Sequence, residues 1–175
     1  LAANPNDAMA LLMTGNLYEQ TDLKKALSWY YKAAKANPTD FNANLYLGQA
    51  LYNSAAKLYE LSNLTQAQAA TADNLLKAAI PALEAAYKAN PDGGAKGILS
   101  PENVKGLLGS IYYQQKMEDK HTAIEDGTLD VGSPTLGDLT ALIESIDFTP
   151  VAVTEAPAQP VKKAPAKATK GKARK

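Results

Sequence analysis

Ala33-Ala34-Lys35-Ala36-Asn37-Pro38-Thr39-Asp40 decides the reading of this chain, because it recurs as Ala85-Ala86-Tyr87-Lys88-Ala89-Asn90-Pro91-Asp92. Its end is found again as Ala2-Ala3-Asn4-Pro5-Asn6-Asp7. Proline has no N–H to give and pushes the residue before it out of the α region, so each Asn-Pro stops a helix. The Asp that follows is a suitable cap for the next helix. Residues 22–52 therefore hold one helix, one turn and the start of another, and the chain repeats that unit.

Working outward, a second signal lies between these stops. It reads Leu11-x-x-Thr14-Gly15-x-x-Tyr18, Asn44-x-x-Leu47-Gly48-x-x-Leu51 and Lys105-x-x-Leu108-Gly109-x-x-Tyr112. Glycine inside a helix costs about 1 kcal/mol against alanine, so three at matching places require a packing reason. Close approach of a neighbouring helix supplies one.

These residues resemble the tetratricopeptide repeat family, a helix-turn-helix unit of about 34 residues with Trp, Leu-Gly, Tyr, Ala, Phe and Pro signature slots. The first unit fills them with Leu11, Thr14, Gly15, Tyr18, Ala26, Tyr30 and Pro38, the second with Asn44, Leu47, Gly48, Leu51, Ala79, Leu83 and Pro91. A third keeps Leu108, Gly109 and Tyr112 before the match stops, so the resemblance covers roughly residues 2–117. The Trp slots are unfilled, Thr14 stands where Leu is usual, and the turn before Ala26 is one residue short. The resemblance implies a bacterial-type member of that family, all-α, with antiparallel helix pairs stacked as a superhelix.

The expected organisation is a repeat region over 1–118, a degenerate repeat or capping helix over 119–147, and a disordered Ala/Pro/Lys-rich tail over 148–175. Pro5 to Pro38 is 33 residues but Pro38 to Pro91 is 53, so the second pair, about 40–90, is elongated and should project as an arm. Asp7, Asp22 and Asp40 are expected caps for helices running to Gln20, Ala36 and Leu61. Asn63 with Gln66 has capping-box spacing ahead of the returning helix. Asp92-Gly93-Gly94-Ala95-Lys96-Gly97 is a loop on glycine content. Ser100-Pro101 reads as a cap and first helical position, opening a helix to Lys116. Lys120 to Asp126 forms two turns ended by Gly127, and Leu136, Leu139, Leu142, Ile143 and Ile146 form one helical stripe covering the end of the stack.

Composition bounds the function. There is no cysteine, hence no disulfide framework or thiolate metal site. No run of about 18 apolar residues is present, so no membrane span is expected. The residues Leu1-Ala2-Ala3-Asn4-Pro5 match the last turn of a repeat's second helix, which points to a C-terminal fragment with at least one earlier repeat lost. That leaves the compartment open between cytoplasm and periplasm. From Val151 on, the seven bases Lys162, Lys163, Lys167, Lys170, Lys172, Arg174 and Lys175 face one acid, Glu155, a local charge of +6. The remaining 11 bases and 17 acids give the body −6. Such a tail either binds a nucleic acid or other polyanion by counterion release or simply solubilises the chain.

No catalytic constellation emerges, and neither a metal nor a cofactor is expected. His121 is the single histidine and has no partner to work with. The glycine loop lacks the Gly-Lys-Ser/Thr ending of a phosphate loop, and Glu125-Asp126-Gly127 lacks the ligands of a calcium loop. A non-enzymatic scaffold that binds a peptide or protein partner on its concave repeat surface or along the helical arm is the expected role. The resemblance implies a concave groove lined by first helices that holds a peptide or protein partner. By register that surface is Asn16, Glu19 and Gln20, then Asn42, Leu45, Gln49, Tyr52 and Asn53, then Asn103, Ser110, Tyr113 and Gln114. Amides and tyrosines suit hydrogen bonding to an extended backbone plus aromatic contact. Leu12, Leu45 and Gly106 stand where a carboxylate clamp would need positive charge, so a clamp for acidic chain ends is not expected.

Overall fold

The computed structural model describes residues 7–89 and 101–151 of the chain. Among these residues there are seven helices and no strand: α1 Ala8–Tyr18, α2 Leu23–Ala36, α3 Phe41–Tyr59, α4 Gln66–Ala89, α5 Pro101–Gln114, α6 Glu118–Glu125 and α7 Thr140–Glu144. The chain is all-α over this span. The first Ala-Asn-Pro ending, the 92–97 loop, the Ser100 cap and the basic tail from 152 on lie outside the described residues.

The expected caps close the first three helices. Asp7 Oδ1 accepts from the Met9 and Ala10 N–H groups at 2.9 and 3.1 Å, Asp22 from Lys25 at 3.1 Å, and Asp40 from Ala43 at 2.7 Å. Each such bond satisfies an orphan donor of the first turn and contributes about 1 kcal/mol. Helix α1 stops at Tyr18 rather than Gln20, where the chain tightens: Glu19 and Thr21 N–H donate three residues back, to the Asn16 and Tyr18 carbonyls at 3.4 and 3.0 Å. The capping box ahead of α4 is Thr65 with Gln68, not Asn63 with Gln66. Gln68 N–H donates to Thr65 Oγ1 at 3.1 Å and Thr65 N–H returns a bond to Gln68 Oε1 at 3.0 Å. A hydroxyl at the cap with an amide three residues on pairs two donors at once.

Each helix from α2 to α6 packs on the one before it, α3 also touches α1 and α5, and α7 lies against α2 and α4. The glycines permit this closeness. A Cβ on Gly15 would lie 2.4 Å from Tyr30 Cε1, and one on Gly48 would lie 2.5 Å from Leu83 Cγ. Between α3 and α4, Leu47, Leu51, Leu75 and Leu83 are fully buried, each contributing about 1.5–3 kcal/mol on the scale for burying an aliphatic side chain. At 19 and 24 residues these two helices are the long pair that the proline spacing calls for. The α5–α6 turn is closed by Lys116 at φ 56°, with Lys116 and Met117 N–H donating to Tyr113 and Tyr112 carbonyls. That is a Schellman ending built on a lysine where glycine is the usual choice.

The largest departure from expectation is the segment after α6. Only Thr140–Glu144 of the 136–146 stripe is helical. Leu139, Ile143 and Ile146 are buried in and beside this short helix, and the rest of the segment is a non-helical strap. Asp138 and Asp147 accept from Thr140 and Thr149 N–H at 2.9 Å each; the Thr140 N–H for Asp138, and the Thr149 hydroxyl and then its N–H for Asp147, hold both carboxyls below the usual carboxylate range.

Nor does the strap cover the stack's end; it runs back along α2 and α4. Lys88 binds the Gly132 carbonyl, and Tyr31 OH donates to Gly137 O at 3.0 Å. Further on, Lys24 Nζ donates to Glu144 O at 2.8 Å, and Gln68 Nε2 to Asp147 O and Thr149 O at 3.1 and 3.0 Å. Asn63 Nδ2 reaches Val151 O at 3.0 Å, and Lys57 Nζ lies 4.6 Å over the Phe148 ring. Residues 148–151, expected to be disordered, are thus seated on the long helix pair, because its amides take up their carbonyls.

Candidate functional site

The candidate face is set by the same glycines that close the pairs. Counting from Gly15, Gly48 and Gly109, offsets of one, four and five residues give Asn16, Glu19 and Gln20, then Gln49, Tyr52 and Asn53, then Ser110, Tyr113 and Gln114. On an α-helix those three offsets share one side. Since α3 touches both α1 and α5, the second and third sets and Asn16 lie on neighbouring helices, while Glu19 and Gln20 stand past the end of α1. Asn16, Gln20, Asn53, Ser110 and Gln114 are exposed, while Glu19, Gln49 and Tyr52 are half-buried. Tyr113 has 75% of its surface free.

Two of the expected residues are differently placed. Leu45 is fully buried and cannot line a surface. It sits three residues before Gly48, on the glycine's own side of the helix, and its register counterpart Leu12 is buried for the same reason. Asn42 is half-buried, and the Asn103 side chain lies outside what the structure describes. Asn16 is exposed yet engaged, since its Oδ1 accepts the Tyr30 hydroxyl at 2.8 Å. Its amide N–H groups are what it can offer a partner. Burial is the main cause that pushes the Tyr30 phenol above its ordinary pKa, with the charge of Glu19 adding to it.

His121 is a residue that sequence reasoning set aside. Its ring lies 5.8 Å from that of Tyr113, and both line an open recess of about 690 Å³ with Gln114, Lys116, Glu118 and Thr122. The left-handed turn at Lys116 folds α6 back and brings the two rings together, and nothing in the residue order marks that turn. Behind the recess, Glu84 of α4 is buried and accepts at one oxygen from Tyr112 OH at 2.8 Å and Lys120 Nζ at 2.6 Å. This joins α4, α5 and α6 and fixes the helix that presents Tyr113.

The opposite side offers a different chemistry. There the strap is held through its main-chain carbonyls by Lys24, Tyr31, Asn63, Gln68 and Lys88. An open cleft of about 760 Å³ beside it is lined by Leu11, Tyr31, Lys32, Lys35 and Ile143 among others. Lys32 lies 4.3 Å over the Trp29 ring. Among the described residues no group of three or more His, Asp or Glu is placed to hold a metal ion. No helix among them is long and apolar enough to cross a membrane. Neither family models, nor curated proteins, nor solved structures give a match to this chain.

Proposed function

We propose that the chain is a non-enzymatic interaction scaffold of the tetratricopeptide type, holding an extended peptide or a partner's segment on the α1/α3/α5 face. The observation that carries the reading is the recurrence at one register of an amide in three units and a tyrosine in two. Gln20, Asn53 and Gln114 recur as an amide row, and Tyr52 and Tyr113 stand beside it. An amide gives and takes a hydrogen bond, which matches a peptide unit at any sequence. Tyrosine adds contact area at low entropic cost. The long α3–α4 pair widens the surface next to the row.

The test is selection of binders from a random peptide display library against the whole chain, followed by titration of the selected peptides. Tyr52→Ala and Tyr113→Ala are each expected to weaken them about tenfold, the loss typical of an aromatic contact residue. Lys32→Ala on the opposite side should leave them unchanged. Peptides that bind equally well to both tyrosine variants would remove this face from consideration.

A further inference from the structure

Among the described residues no aromatic side chain is more open than Tyr113, at 75% exposed. It does not stand alone. The His121 ring meets it at 5.8 Å with the two planes 53° apart, so the rings make a notch in the recess between α5 and α6. An aromatic-walled notch is the kind of site that receives a proline ring from an extended, proline-rich segment. The charge beside it has one main sign. Glu118, His121, Thr122 and Glu125 share one stripe of α6, since they follow each other at helical spacing. Glu118 lines the recess, and Glu125 continues the stripe along the seam, its Oε1 3.4 Å from where a Cβ on Gly109 would stand. Both carboxylates are exposed. Among the described residues the ion pairs are Lys25 with Asp22 and Lys120 with Glu84, so neither Glu118 nor Glu125 is paired. Lys116 is the one cation that lines the recess. What fits here has a ring to seat between Tyr113 and His121 and positive charge close behind it.

The chain itself carries such a segment, outside the described residues: Pro157-Ala158-Gln159-Pro160-Val161-Lys162-Lys163. Prolines three apart fall on one edge of a polyproline II helix, a form that needs no partner to hold it. In that form Lys163 lies about 9 Å beyond Pro160. Glu125 lies about 6 Å along α6 from His121, and a lysine side chain covers the difference. From Val151, whose carbonyl Asn63 holds at 3.0 Å, the chain to Pro160 can span about 30 Å, the length of a 19-residue helix such as α3. We propose that the notch between Tyr113 and His121 is occupied by residues 157–163 of the same chain, with Pro160 between the rings and Lys162 and Lys163 against Glu118 and Glu125. The proposal rests on the peptide-binding reading, because it fills the α5 end of that face, and it names what the face prefers: an extended, proline-containing, basic peptide. A nucleic acid does not suit the notch, since two exposed carboxylates repel phosphate there.

His121 is the only histidine of the chain, so its ring protons report on the notch in the NMR spectrum of the whole chain at one fixed pH. Pro157→Ala and Pro160→Ala together are expected to shift the His121 line. A synthetic peptide of residues 155–165 added to that variant should bring the line back toward its position in the parent. The same peptide with Lys162→Glu and Lys163→Glu should bind at least about tenfold more weakly, because like charges then face each other. Tyr113→Ala removes an exposed side chain and should leave thermal unfolding unchanged, yet in that chain the proline replacements should no longer move the line. Equal His121 lines in the parent and the double-proline variant overturn the proposal. A parent line that moves on dilution overturns it too, since the segment would then come from a second copy. If peptides selected from the library still require Tyr52 and Tyr113 when the His121 lines are equal, the peptide-binding reading stands and this proposal alone falls.

Discussion

The α3–α4 seam and the α5–α6 seam share a register and differ in how closely they shut. At Gly48 an added Cβ would meet Leu83 Cγ at 2.5 Å and Cδ2 at 2.6 Å, with the Leu83 backbone nitrogen behind them at 3.4 Å. At Gly109 the nearest atom would be Glu125 Oε1 at 3.4 Å. The first seam joins helices of 19 and 24 residues; the second joins 14 and 8, and Ile124 is the buried residue of the shorter one. One glycine exists to let two helices touch. The other sits at the same place without being pressed, and its pair is fastened by the buried Glu84 carboxylate shared between Tyr112 and Lys120.

The largest effect expected of this difference is at the tight seams. Gly48→Ala and Gly15→Ala should each lower stability in urea unfolding by about 2 kcal/mol, the middle of the range for overpacked cores. The helix-propensity gain of alanine works against that loss and is smaller. Leu83 is fully buried, and Tyr30 is buried with its hydroxyl tied to Asn16, so neither side chain can swing aside. A Gly48→Ala chain as stable as the parent would mean that the seam yields, and the comparison would lose its first half.

Next is the fastening of the loose pair. Tyr112→Phe removes the bond to Glu84 but leaves Lys120 in place, so a loss of about 1.5 kcal/mol is expected, the scale of a hydrogen bond to a charged group. The effect has a pH signature. Burial first, then the Glu84 hydrogen bond and charge, pushes the Tyr112 phenol above its ordinary value of 10.0. Folded, the phenol keeps its proton where the unfolded chain has given it up. Its contribution is thus complete below about pH 10 and is lost as pH climbs from there toward the raised folded value. The gap between the parent and Tyr112→Phe should narrow when urea unfolding is repeated above pH 10. A gap independent of pH would show that Tyr112 is not coupled to the carboxylate as the geometry requires.

The same contrast marks what could be read from residue order. Caps, prolines and repeat glycines act through local rules, so Asp7, Asp22, Asp40 and the closeness at Gly15 and Gly48 were legible. The glycines set the register from which the row from Asn16 to Gln114 is counted, but Leu45, three residues before Gly48, was assigned to the wrong side, and Glu19 and Gln20 stand past the end of α1. The strap was not legible. Lys24, Tyr31, Asn63, Gln68 and Lys88 hold its main-chain carbonyls, and every residue carries a carbonyl. Leu139, Ile143 and Ile146 keep a helical spacing around the short α7, but nothing in that spacing says that the turn lies against α2 and α4. The nearness of His121 to Tyr113 depends on a lysine held at φ 56°, which no composition rule selects.

The smallest expected effect has the opposite sign. At Gly109 an alanine methyl would make ordinary van der Waals contacts, 3.4 Å to Glu125 Oε1 and 3.9 Å to Ile124 Cγ2. Glu125 is exposed and its carboxylate can move outward without breaking a bond to the core. Alanine is favoured over glycine inside a helix by about 1 kcal/mol, so Gly109→Ala should raise stability by up to about that amount. Urea unfolding in parallel with Gly48→Ala gives the comparison its sharpest form, because one chemical change at one register is expected to stabilise one pair and destabilise the other. A loss at Gly109 equal to that at Gly48 would mean that α5 and α6 shut as tightly as α3 and α4, leaving the Glu84 fastening without a reason to exist.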